Sequence, residues 1–170
     1  MYTLIKYYQS VINQLDKLAW IVPLLALRAI MAWEYGEAGY QKLIGENWFS
    51  ALTFPFPFNL LPPELNWQFA TWFELIGAVA LLLGLATRFF SLSLIILTLV
   101  AIAAVHWPVD GFVWSELLTG YRIIDEQNDG LGNFKLPVIF IVMLMALMFF
   151  GAGKWSLDAW LKQIFEPKQS

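Results

Sequence analysis

The sequence predicts an all-α membrane protein: a bundle of four transmembrane helices, preceded by an amphipathic interfacial helix and carrying two long external loops. Three observations lead there. Hydrophobic residues make up 59% of the chain and charged residues 14%, with a mean hydropathy of +0.63, whereas soluble domains average about 45–50% and about 25%. Four stretches, residues 18–40, 67–86, 89–106 and 134–151, come close to the ~20 apolar residues that cross a hydrocarbon core of ~30 Å. The charges between these stretches divide by sign. At 170 residues the chain has the length of one domain, read as a single unit over 1–170.

The first element is "MYTLIKYYQSVINQLDKL". Leu4, Tyr8, Val11, Leu15 and Leu18 recur at three- and four-residue spacing, with Lys6, Gln9, Asn13, Asp16 and Lys17 between them. That pattern suits a helix lying in the membrane interface. It is too polar for a signal-peptide core and no small-residue cleavage site follows, so this segment is expected to be retained. Spans 2 and 3 are separated only by "ATRFF" and must form an antiparallel hairpin, whereas the other two connections are long. Lys6, Lys17, Arg88, Lys154, Lys162 and Lys168 fall on the side of the termini and hairpin. The opposite side holds Lys42, Arg122 and Lys135 against Glu46, Glu64, Asp110, Glu116, Asp125, Glu126 and Asp129. By the positive-inside rule both termini are cytoplasmic and the long loops external, which in a bacterial inner membrane means periplasmic.

Charged residues within the spans are the first candidate site. Arg28, Glu34, Glu37 and Glu74 fall inside predicted helices, where a central charge costs about 2.5–3.5 kcal/mol even on lenient scales. Counting ~1.5 Å per residue from the expected span borders puts Arg28 and Glu74 at similar depth, so the two are expected to pair, as a structural ion pair or as ligand contacts. Arg28, Tyr35, Gly39 and Lys42 share one helical face, and Glu34, Glu37 and Gln41 another. The first should look into the bundle; the second should look at the loops, at another protomer or at a partner protein, with Glu34 and Glu37 able to snorkel.

Aromatic residues supply the second candidate. Trp20, Trp48, Trp67, Trp107, Trp114, Trp155 and Trp160 lie near span ends, as interfacial belts require. Trp33 and Trp72 do not, and together with Tyr35 and His106 they are candidates for a pocket between helices, though ordinary packing explains the same rings. In "FPFPFNLLPPEL" the prolines Pro55, Pro57, Pro62 and Pro63 oppose helix and favour extended, donor-poor backbone. Phe54, Phe56 and Phe58 are expected either to cap the external mouth of the bundle or to anchor the loop in the interface.

Several chemistries are excluded or weakened. The chain has no cysteine, which removes thiolate ligands, disulfide exchange and cysteine nucleophiles. A net charge of -3 without a basic stripe gives nucleic acid nothing to bind. His106 is the only histidine; it is a capping residue or, with the acids of the external half, part of a mixed N/O metal site. A soft copper site has no support, because Met31, Met143, Met145 and Met148 lie elsewhere. "DEQNDG" at 125–130 lacks the later ligands of a calcium loop and reads as an acidic turn. No nucleophile–base pair, phosphate loop or zinc signature is present, so catalysis by side chains alone is not expected.

Three segments together resemble the DoxX family of membrane proteins. They are "LALRAIMAWEYGEAGYQKLIG" with Arg28, Gly39, Lys42 and Leu43, "ELIGAVALLLGLATR" with Glu74, Gly77, Gly84, Thr87 and Arg88, and "GAGKWSLDAWL" with Gly151, Gly153, Ser156, Leu157 and Asp158. Ala78 departs from the family's more usual glycine. The resemblance implies a four-helix inner-membrane protein related to the quinone-linked DoxD subunit of thiosulfate:quinone oxidoreductase. "WEYGEAG", "GENWF", "FPFPF" and "VAIAAVHWP" further resemble the HvfX-like branch, associated with maturation or handling of copper-binding peptides. Three functions are therefore expected as alternatives: an accessory component for copper-peptide maturation with a protein partner or as a homo-oligomer, a quinone-linked redox subunit, and a small transporter using Glu74 as a proton relay. The implied cofactors are accordingly quinone or copper.

Overall fold

A computed structural model describes residues 2–107 and 135–165, and all regular structure among these residues is helical. Among the described residues six α-helices follow one another: α1 Tyr2–Leu18, α2 Val22–Ile44, α3 Pro63–Leu83, α4 Thr87–Ala101, α5 Lys135–Phe150 and α6 Leu157–Phe165. A π-helical turn, Ile102–His106, prolongs α4. Two 3-10 turns, Phe49–Ala51 and Phe58–Leu60, lie in the α2–α3 connection. The acidic turn at 125–130 and most of the second long connection lie outside the described residues.

Helices α2 to α5 form the bundle, each packed on its chain neighbours with α5 closing against α2. Leu24, Met31, Tyr35, Ala78, Leu81, Leu94, Leu144 and Leu147 make the core. On α2 the buried positions Leu24, Arg28, Met31, Ala32, Tyr35 and Gly39 follow the three- and four-residue spacing of one helical stripe. Helices α2 and α3 run antiparallel and touch closely at Gly39. A Cβ there would lie 2.9–3.1 Å from Leu75 and Glu74, so only glycine lets the backbones approach this far. Ala78 stands opposite Gly36, where even an added Cβ would meet the Ala78 methyl at an ordinary 3.5 Å, so its methyl group is accommodated.

Helix boundaries follow local chemistry. Prolines open α2 and α3, at positions where the missing amide has no helical partner to lose. Gly84 ends α3 in the left-handed conformation, φ 65°, with Gly84 N–H donating to Leu81 O and Leu85 N–H to Ala80 O, a Schellman closure. The starts of α2 and α3 thus come a few residues away from the expected span borders, at Val22 and Pro63. Along "FPFPFNLL" the backbone turns: Asn59 N–H donates to Pro55 O and Leu60 N–H to Pro57 O. The expected continuous extended segment is absent because prolines disfavour helix interiors yet initiate turns readily.

By length and composition one helix among the described residues, Thr87–His106, with 20 residues and a hydropathy of 2.4, could cross a membrane. Helix α5 is apolar but has 16 residues. Helices α2 and α3 have 23 and 21 residues, but their apolar runs are interrupted by Arg28, Glu34, Glu37 and Lys42 and by Asn66, Gln68 and Glu74. Helix α1 is an exposed amphipathic helix: from Leu4 onward its side chains are exposed on every face.

Candidate functional site: an ion-paired cavity at the loop end

Between the ends of α2–α5 that lie nearest the α2–α3 connection is a cavity of about 690 Å³. Its size is in the range of small-molecule sites. Helix α2 supplies Tyr35, Lys42, Glu34 and Gln41, α3 supplies Glu74 and Asn66, and α4 with its π turn supplies Thr98 and His106. Phe49, Phe54 and Phe58 from the connection and Phe140 from α5 complete the wall.

The polar centre of the wall is a buried ion pair. Lys42 Nζ donates to both carboxylate oxygens of Glu74, at 2.8 and 3.0 Å, with side-chain exposures of 17% and 5%. Its remaining donor points at Ala38 O at a long 3.4 Å. Two near-ideal charge-assisted bonds make this a well-formed pair. About two turns from Lys42 along α2, Tyr35 and Thr98 hydroxyls meet at 2.6 Å. Thr98 Oγ1 already donates to Leu94 O at 2.7 Å, so the single Thr98 proton is committed and Tyr35 is the donor to Thr98.

The expected Arg28–Glu74 pair is corrected. The contacts of Gly39 with Leu75 and Glu74 set the register of α2 on α3. Arg28 lies eleven residues nearer the other end, about 16 Å away along the helix. There its Nη2 donates to Trp155 O at 2.7 Å, and its guanidinium packs so tightly on Gly84 that a Cβ would overlap it. The count from assumed span borders failed because α2 and α3 both start elsewhere. The usable signal was Lys42, which shares the Arg28–Tyr35–Gly39 face and stands one turn from Gly39.

Arg28 instead belongs to a polar knot at the opposite, hairpin end of the bundle. Asp158 accepts from Ala86 N–H at 2.7 Å and Thr87 N–H at 3.0 Å, capping α4 from the far end of the sequence. Asp158 N–H in turn donates to Gly84 O at 2.9 Å. Ser156 caps α6 by accepting from Ala159 N–H at 3.1 Å and donates to Gly153 O at 2.7 Å. Gly153, φ 79°, brings this segment against Trp20, whose carbonyl a Cβ would meet at 2.8 Å.

The other expected residues divide. Tyr35 and His106 line the cavity, whereas Trp33 is 73% exposed and Trp72 lies on the outside of α3, its indole N–H on Gln68 Oε1 at 3.1 Å. Helical phase explains this: both fall on faces turned away from the buried stripes. Phe54 and Phe58 line the cavity, but Phe56 is 78% exposed and turns outward. Glu34 and Gln41 reach the cavity rim; Glu37 is exposed and accepts from Gln41 Nε2 at 3.3 Å. Sequence reasoning missed Phe49 and treated Trp67 as interfacial. Both are buried with Ala70 in an aromatic cluster, the rings 5.0 Å apart and nearly perpendicular, and Leu52, Phe54 and Leu97 pack on it. Among the described residues no group of three or more His, Cys, Asp or Glu side chains converges.

No solved structure matches the chain significantly. A Haemophilus influenzae protein, described as an uncharacterized protein, is 41% identical over 149 residues, covering 86% of this chain and 88% of that one. The DoxX family model matches residues 23–107, which contain Lys42, Glu74, Tyr35, Thr98 and Arg28. With half of its length matched by that model, the chain belongs to the DoxX family of membrane proteins.

Proposed function

We propose that this protein spans the bacterial inner membrane with α2 to α5. In this reading the α2–α3 connection is periplasmic, the termini are cytoplasmic and α1 rests in the cytoplasmic interface. The protein binds a membrane-soluble quinone in the loop-end cavity and serves as the membrane component of a redox system completed by a partner protein. The observation that carries the reading is the cavity itself: aromatic and aliphatic walls around one buried Lys42–Glu74 pair. Ile76, Val79 and Leu82 on α3, Leu92 and Leu99 on α4, and Val142 and Phe149 on α5 are exposed around the bundle. So large an apolar perimeter favours lipid as its surroundings.

The residues present fit a quinone head. Lys42 can exchange its long bond to Ala38 O for a carbonyl oxygen of the ligand while Glu74 keeps it in place. The rings of Phe49, Phe54, Phe58 and Phe140 supply flat apolar walls suited to an aromatic body. A bound quinone supplies two-electron, two-proton carrier chemistry; the chain's own part is to orient the head, exclude water and hold charge near its oxygens. Mass spectrometry of organic extracts from gently purified protein tests this: a quinone near one per chain is expected, reduced at least fivefold in Lys42→Met. Protein purified with lipid alone, at every detergent tried, would contradict it.

A second reading, an accessory role in handling copper-binding peptides as in the HvfX-like branch, draws on a different observation. Trp33, Glu37 and Tyr40 form an exposed, partly charged face on α2, which suits a protein partner or a second copy. Among the described residues the cavity wall has one imidazole and no methionine or cysteine, so copper in this reading is held by the peptide or partner. A partner lost on Glu37→Lys and Trp33→Ala substitution, with quinone content unchanged, would support it.

A further inference from the structure

Two hollows in the bundle share lining side chains. Outside α3 and α4 runs a groove of about 480 Å³, bordered by Gln68, Phe69, Trp72, Phe73, Phe89 and Phe90. Phe69 and Phe73, one turn apart on α3, also line the cavity. Both rings are exposed at the bundle surface, as is Ile96 on α4, and Ile96 and Ser93 line the cavity too. Side chains that face both the outside and the interior mark an interruption in the wall. Toward the hairpin the two helices close, since a Cβ on Gly77 would lie 3.1 Å from Leu94 Cδ1. Toward the loop end they are bridged by the cluster of Phe49, Trp67 and Ala70 with Leu97.

The gap is apolar in a way that the opposite side of the cavity is not. Its edges are three hydrophobic side chains and Ser93, whose hydroxyl donates to Phe89 O at 3.0 Å and so offers no spare proton. The α2 side of the cavity instead carries Glu34 and Gln41, which an aliphatic chain would have to desolvate.

We propose that the gap edged by Phe69, Phe73, Ser93 and Ile96 is a side entrance from the bilayer, and that the adjoining groove seats the apolar tail of a ligand whose polar head lies against Lys42–Glu74. The inference rests on the quinone reading and deepens it: the substrate class is a long-tailed, bilayer-dissolved quinone, not a water-soluble head alone. Because Phe69 and Phe73 line both groove and cavity, a molecule passing between them would occupy both without crossing the polar rim.

The experiment uses the full chain in lipid nanodiscs with two probes, ubiquinone-10 and the tail-free 2,3-dimethoxy-5-methyl-1,4-benzoquinone. Stopped-flow quenching of the native tryptophans reports arrival. Ser93→Phe and Ile96→Phe, which narrow the gap from a half-buried and an exposed position, are expected to slow ubiquinone-10 at least tenfold and to leave the tail-free quinone within twofold. Phe73→Ala, which widens it, is expected to speed ubiquinone-10, so the idea stays testable if a narrowing variant folds poorly. Unchanged ubiquinone-10 rates in these variants, or equal slowing of both probes, would overturn the side entrance while leaving quinone binding standing. If neither probe quenches the wild-type protein, the quinone reading falls and the entrance with it.

Discussion

Lys42 and Glu74 are the residues on which the site depends. Among the described residues each is the other's ion-pair partner, and Arg28 is about 16 Å down the helix. Removing one partner leaves an uncompensated charge at a cost of about 3–5 kcal/mol, whereas removing both is far milder. Detergent unfolding of Lys42→Met, Glu74→Gln and the double variant should therefore give a coupling above about 1 kcal/mol. The corresponding cycle for Arg28→Met with Glu74→Gln should be additive within about 0.5 kcal/mol; strong coupling there would contradict the register described. How far the pair was legible is instructive. The helical face containing Arg28, Tyr35, Gly39 and Lys42 could be read from the sequence, since it needs only the 3.6-residue period. The partner of Glu74 could not, because it depends on where α3 sits along α2, and that is fixed by Gly39 against Leu75 and by the Gly84 turn.

Among the elements, the α3–α4 hairpin and the α6 start behave as one unit. The hairpin followed from "ATRFF" alone, but its lock did not: Asp158 reaches Ala86 and Thr87 N–H across 72 and 71 residues of sequence, and no local pattern announces a cap of that kind. Gly84 needs φ 65° and leaves room for the Arg28 guanidinium. Gly84→Ala is expected to lose about 1–2 kcal/mol from the backbone conformation alone, with a further loss from displacing Arg28. Asp158→Ala should lose about 1–2 kcal/mol through the cap. Because Asp158 and Gly84 share one knot, the double variant should be sub-additive; thermal unfolding in one detergent measures all three. The proline-rich connection shows the opposite balance. Composition placed Phe54 and Phe58 in a sheltered loop, yet it could not assign Phe56 outward, since that choice belongs to the turn at Pro55–Leu60.

For the molecule as a whole, sequence patterning marked α1 to α5 better than it marked their depth, and it did not mark α6. Periodicity and apolar runs mark helices, but buried ion pairs and hydrogen-bonded hydroxyls reduce the apparent hydropathy of α2 and α3 even where those groups face inward. The proposed topology puts residues 45–62 and 157–165 on opposite sides of the membrane. The cysteine-free chain makes this simple to check: a single cysteine at Ser50 should react with an impermeant maleimide in intact cells, and one at Gln163 only after lysis. Equal labelling at both would contradict four spans.

The central claim is that the cavity around Lys42–Glu74 holds a quinone head. Photolabelling with a ring-azido ubiquinone analogue, followed by peptide mapping, tests it most directly. The account predicts label on peptides containing Tyr35–Lys42 and Phe49–Phe58, competed by unlabelled ubiquinone and strongly reduced in Lys42→Met. Label confined to the hairpin-end peptides around Arg28 and Asp158, or spread over the lipid-facing surface and indifferent to Lys42, would contradict it.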